Sequence, residues 1–202
     1  MTARQVTVVF VKTPVPGRVK TRLARDIGNE AACALYRCMT NHAIGQVVAS
    51  GLPLVVCYEG VSDELPDDWR RPAWAVIPQT GADLGQRMAA AFCALFSDAV
   101  EHVVLIGSDI PGIDAAYLLQ AFSRLDDHDL VIGPAADGGY CLIGFRRQSF
   151  TPALFEGIPW SSDQVLHLTL QSAVKEGLNV GLLPALHDID TIDDLLKTAV
   201  WP

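Results

Sequence analysis

Lys12, Arg18, Lys20, Arg22 and Arg25 crowd into the stretch KTPVPGRVKTRLAR, residues 12–25. They are five of the chain's 15 Lys and Arg, in a protein whose formal net charge is −8. Cations gathered so closely in an acidic chain suit a local anion, phosphate above all, where Pro14 and Pro16 stiffen a loop that carries Gly17 and leads into a helix start. The plain alternative is a solvated cationic helix start with no ligand. Cations at a helix N-terminus oppose the macrodipole by roughly 0.3–1 kcal/mol each, and a bound anion would remove that cost. Gly17-Arg18-Val19-Lys20-Thr21 looks like the tail of a phosphate-binding P-loop but fails its spacing. Val19 stands where a glycine must precede the lysine, and Pro14 stands at the earlier glycine position.

Carboxylates supply the complementary half. Asp109 follows the apolar run HVVLIG and Ser108 and precedes Pro111. A carboxylate at the end of a central strand is placed to hold Mg²⁺, which takes one or two carboxylates, waters and substrate phosphates. A turn or capping aspartate is the alternative. Asp188 and Asp190 alternate along an extended segment, so either could face Asp109, with Asp188 ranked second; Asp190 could instead serve the cap that Thr191 and Asp194 predict. Asp137-Gly138-Gly139-Tyr140 reads either as a tight turn or as a place where backbone approaches a sugar or nucleotide without a Cβ in the way. In the loop QTGADLGQR, Gln79, Gly81, Asp83 and Gly85 lead to Arg87 in the first turn of a helix. That arginine could grip a phosphate or pair with Asp83. The five histidines show no ligand spacing, and Trp69, Trp74, Trp160 and Trp201 read as packing residues.

These loops need a scaffold, and the hydrophobic pattern predicts one. Strands are expected over 6–11, 52–58, 74–77, 102–106, 129–132, 140–145 and 179–182. Helices are expected from an Asn29 cap to about Ser50, from Leu84 to about Asp98, from an Asp114 cap to Leu125, from a Ser161/Gln164 capping box to Glu176, and after Thr191. Residues 59–72 read as surface loop with a short helix near 63–69. Strands alternating with helices of crossover length imply a three-layer α/β/α sandwich around a mainly parallel, mixed sheet, formed by one domain spanning residues 1–202. The runs 129–132 and 140–145 lie too close for a crossover, so they are antiparallel or at the sheet margin. In such a sheet, ligands bind outside the carboxyl ends of the strands, where all five informative loops fall.

Composition narrows the class further. The acidic balance argues against a general nucleic-acid binder. The six-residue run 6–11 before Lys12, apolar but for Thr7, is too short for a secretory or membrane segment, which predicts a cytoplasmic protein. Five cysteines without a C-x-x-C pair suit reduced, mostly buried thiols.

Taken as an ordered set, KTPVPGRVKTRL, DLGQRM, GSDIPG, DGGYCLIG, IPWSS and DIDTIDDL resemble the nucleotide-diphospho-sugar transferase superfamily, the glycosyltransferase-A type fold. Within it the chain looks like the bacterial branch of radical-SAM- and selenodomain-associated transferases, related to molybdenum-cofactor and phospholactate nucleotidyltransferases. The resemblance implies a Rossmann-like fold with a nucleotide over the first loop. It implies Asp109 and Asp190 as ligands of Mg²⁺, or alternatively Mn²⁺, and Lys20 and Arg22 as neutralisers of the phosphates. The expected activity is nucleotidyl transfer from an NTP to a small phosphorylated or hydroxyl acceptor, with Lys20, Arg22 and Asp109 as catalytic residues. Glycosyl transfer from a nucleotide-sugar and non-catalytic nucleotide binding are the alternatives.

Overall fold

A computed structural model describes residues 4–96 and 100–197. In chain order its elements are β1 (Gln5–Lys12), α1 (Ala24–Ile27), α2 (Asn29–Ala49), β2 (Leu54–Glu59), α3 (Asp67–Arg70), β3 (Ala75–Pro78), α4 (Leu84–Leu95), β4 (His102–Ile106), α5 (Ala115–Arg124), β5 (Leu130–Pro134), β6 (Tyr140–Arg146), α6 (Val165–Lys175), β7 (Val180–Leu182) and α7 (Ile192–Lys197). The strands form one sheet in the order β3-β2-β1-β4-β6-β5-β7. All neighbours are parallel except β6, which runs antiparallel to both β4 and β5. The short 135–139 connection forces β6 to turn back on β5. Strand β6 then fills the gap beside β4, so it lies inside the sheet and not at its margin. As a result, the C-terminal ends of the parallel strands and the start of β6 share one sheet edge.

Side-chain alternation divides the core between the two faces of the sheet. Val9, Val11, Val56, Val104 and Ile106 pack under α2, α3 and α5, against Tyr36, Val47, Trp69, Leu118 and Phe122. Val8, Val55, Cys57, Leu105, Ile143 and Phe145 pack under α4 and α6, against Met88, Phe92, Phe155 and Ala173. Full burial of each large apolar side chain is worth about 1.5–3 kcal/mol, which holds both helical layers to the sheet.

Several local expectations change. Asn29 is the first residue of α2 and not its cap. Gly28, at φ 85°, ends α1 and redirects the chain straight into α2. The Ser161/Gln164 capping box does not form. Helix α6 starts at Val165, Ser161 adopts φ 67°, and the Leu166 N–H donates to the Gly138 carbonyl at 2.9 Å. Asp114 does cap α5, accepting from the Tyr117 N–H at 2.7 Å. Helix α4 is described to Leu95, and Asp98 lies outside the described residues. Trp69 is fully buried, whereas Trp74 is 57% exposed, because it precedes β3 at the open edge of the sheet. Trp201 lies outside the described residues. Cys33, Cys57 and Cys141 are buried, Cys38 and Cys93 are exposed, and all five are free thiols. No helix among the described residues is long and apolar enough to cross a membrane.

Candidate functional site

The loop after β1 is pinned by two buried apolar residues, Val19 and Leu23, which hold Lys20 between them. Lys20 adopts φ 47°, uncommon for a residue with a Cβ, and its side chain is only 5% exposed. Its ammonium donates to Asp109 Oδ2 and to Asp190 Oδ1, each at 2.7 Å. Burial alone would lower the Lys20 pKa, but the two carboxylates outweigh it and hold the group above its ordinary value. Arg22 reaches Asp190 Oδ2 at 3.4 Å from solvent. The expected helix start here is one short turn, α1, so side chains and not a helix dipole supply the positive charge.

Asp190 is placed by its neighbours. Ile189 is fully buried and its N–H donates to the Asp109 carbonyl at 3.2 Å, joining the two acidic loops. Thr191 and Asp194 form the expected reciprocal cap, with Thr191 N–H donating to Asp194 Oδ2 at 2.8 Å and Asp194 N–H donating to Thr191 Oγ1 at 3.3 Å. Asp194 also accepts from the Asp190 N–H at 3.2 Å. Asp188, two residues earlier, faces the same cleft as Asp190. Its carboxyl is pushed up by burial and by the nearby carboxylates of Asp137, Asp190 and Asp109.

A second charged cluster stands at the ends of β1 and β2, whose register sets Lys12 beside Glu59. Glu59 Oε2 lies 3.3 Å from Lys12 Nζ and 3.0 Å from Arg87 Nη1. Burial opposes ionisation of Glu59, but Arg87 and Lys12 prevail and hold its pKa low. Arg87 therefore pairs with Glu59 and not with Asp83, which instead caps α4 by accepting from the Gln86 N–H at 2.8 Å. Gln79 donates both amide protons to the carbonyls of Val11 and Cys57, at 3.2 and 3.0 Å, tying β1 to β2. Tyr36 accepts from the Lys12 N–H at 2.7 Å and its hydroxyl lies 3.3 Å from Ser108 Oγ.

These groups line one cleft of about 770 Å³ along the shared sheet edge. Lys12, Arg18, Lys20, Arg22, Gln79, Asp83, Arg87, Ser108, Asp109, Asp137, Gly139, Tyr140, Asp188 and Asp190 all reach it, so the five loops do converge. Glu59, Tyr36 and Trp160 also line it; Glu59 and Tyr36 lie in none of the sequence motifs, and Trp160, within IPWSS, reads in the sequence only as a packing residue.

A family profile described as an uncharacterized protein conserved in bacteria, DUF2064, matches residues 44–162. The chain belongs to the DUF2064 family. A protein from Desulfovibrio desulfuricans G20, provisionally described as a nucleotide-diphospho-sugar transferase, is 38% identical, with a TM-score of 0.89 over 96% of this chain and 85% of that one. A nucleotidyl transferase from Methanothermobacter thermautotrophicus shares the fold at 15% identity, with a TM-score of 0.64 over 96% and 95% of the two chains. Glucosyl-3-phosphoglycerate synthase from Mycobacterium tuberculosis, solved with Mn²⁺, UDP and glucosyl-3-phosphoglycerate, does so at 13% identity, with a TM-score of 0.58 over 96% and 75%. No curated protein sequence matches the chain significantly. The fold is thus the one shared by nucleotidyltransferases and glycosyltransferase-A-like enzymes.

In this DUF2064 chain Pro14, Gly17, Gly81, Gly85 and Gly138 do not line the cleft. A Cβ on Gly85 would sit 2.7 Å from the Trp160 indole nitrogen, and one on Gly138, at φ 91°, would sit 2.7 Å from the Asp163 Cα. These two glycines admit protein, not ligand. Cys141 lines the cleft, but burial pushes its thiol up to about 12, so it is no nucleophile at neutral pH.

Asp109 and Asp190 carry the donor type that a hard divalent cation takes, and in this structure one oxygen of each holds the Lys20 ammonium. Both offer carboxylate oxygens that converge on one point already holding the positive charge of Lys20, and both are about a third exposed, at 34% and 39%, leaving room for waters and phosphates. No cluster of three or more His, Cys, Asp or Glu suited to a metal occurs among the described residues. Two carboxylates match the way Mg²⁺ is held jointly with a nucleotide.

Proposed function

We propose that this cleft is the active site of a metal-dependent transferase that takes an NTP or a nucleotide-sugar and a small-molecule acceptor. The observation that carries the reading is Lys20 fixed between Asp109 and Asp190, with Arg18, Arg22, Lys12 and Arg87 around the same cavity. Mg²⁺ or Mn²⁺ held by Asp109 and Asp190 would supply Lewis-acid charge to the phosphates. Lys20 and Arg22 bind and neutralise the phosphate oxygens, and Ser108 and Tyr36 brace the floor. In nucleotidyl transfer an acceptor oxygen bonds to the α-phosphorus, the bond from that phosphorus to the bridging oxygen breaks, pyrophosphate leaves and the acceptor proton passes to solvent. Such chemistry rests on positioning and charge, and asks for no side-chain nucleophile.

Glycosyl transfer is the second reading, favoured by the description of the protein that is 38% identical. There the same cations stabilise a departing nucleoside diphosphate. The ordered motifs support membership of the radical-SAM- and selenodomain-associated branch, acting in the cytoplasm as one domain over residues 1–202. Incubation with NTPs or nucleotide-sugars, Mg²⁺ and cell-extract acceptors tests the assignment. Pyrophosphate release supports the first reading and acceptor-dependent nucleoside diphosphate release the second. Binding without turnover of any donor removes the enzyme assignment.

A further inference from the structure

Lys20 already holds the oxygens on which the proposed metal site depends. Its ammonium engages Asp109 Oδ2 and Asp190 Oδ1, each at 2.7 Å, and Arg22 Nη1 lies 3.4 Å from Asp190 Oδ2. Three of the pair's four carboxylate oxygens thus face a cation from the loop after β1. The fourth, Asp109 Oδ1, lies against Gly107, where an added Cβ would stand 3.1 Å from it. Mg²⁺ binds oxygen at about 2.0–2.1 Å, closer than the ammonium stands, and like charges sharing one pair of oxygens repel. A metal can take these carboxylates only as the ammonium moves off them.

The lysine is anchored at its backbone and free at its tip. Val19 and Leu23 are buried on either side, and the Ala24 N–H donates to the Lys20 carbonyl at 2.8 Å. These contacts hold the residue at φ 47°, a strain that persists only where the surroundings fix it. Above that fixed point the side chain is a flexible four-carbon stem ending in a compact charge. It lines the cleft together with Arg18 and Arg22, so the ammonium can swing from carboxylate to phosphate while the loop stays in place.

Charge decides when it does so. Lys20 and Arg22 balance Asp109 and Asp190 one for one. A dication arriving alone would add two positive charges to a balanced group. Phosphates arriving alone would have to draw both cations from carboxylates that are then left bare. Arriving together they satisfy every partner, with the carboxylates passing to the metal and the cations to the phosphates.

We propose that Lys20 is a placeholder cation, which keeps the Asp109–Asp190 pair closed to metal until nucleotide phosphates draw its ammonium away. The proposal rests on the transferase reading and adds its regulation: metal and nucleotide enter together, each raising the other's affinity by the same factor.

The test is Mn²⁺ binding to the full chain without nucleotide, read from the EPR signal of the free ion. Lys20→Met should bind Mn²⁺ about tenfold or more tighter than the natural protein, a gain that misfolding does not produce. Combining it with Asp109→Asn should abolish the gain. Arg22→Gln alters a side chain that is 66% exposed, so it should fold; it should show a smaller gain, and it carries the test if Lys20→Met unfolds. Mn²⁺ bound no more tightly by the variants, or a gain that survives Asp109→Asn, overturns the proposal. Isothermal titration of UTP, CTP, GTP and ATP, each with and without Mn²⁺, completes it. At least one nucleotide should bind the natural protein more tightly with Mn²⁺, and by a smaller factor in Lys20→Met; an equal or larger factor in the variant overturns the placeholder role. Failure of every nucleotide to bind counts against the transferase reading, while the gain in Mn²⁺ affinity still shows that Lys20 closes the carboxylate pair.

Discussion

Lys20 Nζ and Asp109 Oδ2 lie 2.7 Å apart although 89 residues separate them in sequence. The same ammonium is 2.7 Å from Asp190, so one lysine joins the loop after β1, the loop after β4 and the segment before α7. Lys20→Met would leave two neighbouring carboxylates without it. Because both are about a third exposed, the loss should fall below that of a fully buried pair, at about 1–3 kcal/mol by urea denaturation. Mg²⁺ or Mn²⁺ should restore more stability to Lys20→Met than it adds to the natural protein, since the metal then no longer shares the Asp109 and Asp190 carboxylates with the ammonium. An unchanged midpoint on adding either metal would count against the cation site.

The Thr191–Asp194 cap holds Asp190 as well as α7. Thr191→Ala should cost roughly 0.5–2 kcal/mol as a lost N-cap. Isothermal titration should show a larger relative loss of metal-dependent nucleotide affinity than of stability. Equal small losses in both would mean that the cap does not position Asp190.

Two glycines give opposite outcomes on replacement by alanine. Gly138→Ala forces a Cβ against the Asp163 backbone at φ 91°, so it should destabilise by about 1–3 kcal/mol or more and shift the fluorescence of the adjoining Trp160 segment. Gly45 is exposed within α2, and a methyl group there would meet nothing within 4 Å. Gly45→Ala should stabilise the fold by about 0.5–1 kcal/mol, read as a raised Tm.

His102 should give stability a slope on the acid side of neutrality. Burial holds its pKa below the ordinary 6.5, and its Nδ1 is buried without a partner among the described residues, so a proton there would have no acceptor among them. With the folded-state value lowered, the unfolded chain binds the extra proton as pH falls from about 6.5 towards the depressed folded value. Stability should decline across that window, and His102→Gln should flatten the decline in denaturation series at stepped pH.

Much of this was legible in the residues, for identifiable reasons. Alternating apolar runs fixed the strands, and the need to cover both sheet faces fixed the layers. Asp109, Asp190 and Lys20 stood out because charge sat directly after an apolar strand or within a basic cluster. Contacts across long sequence separations were not legible. The pairing of Arg87 with Glu59 depends on strand register, and nothing around Tyr36 in α2 signals that its hydroxyl meets Lys12 and Ser108. The Ser161/Gln164 pattern had the spacing of a cap but lost to a tertiary contact, the Gly138 carbonyl. Trp160 was legible as a packing residue and does pack, yet its ring also forms cleft wall.

The central claim is that carboxylates and cations of one cleft hold a metal–nucleotide pair between them. Isothermal titration of UTP, CTP, GTP, ATP and UDP-glucose, each with Mg²⁺, into the natural protein and into Asp109→Asn tests it most directly. At least one nucleotide should bind the natural protein in a Mg²⁺-dependent manner, with affinity reduced about tenfold or more in Asp109→Asn while its fold is retained. Failure of every nucleotide to bind, or equal Mg²⁺-dependent affinity in the two proteins, would contradict the account.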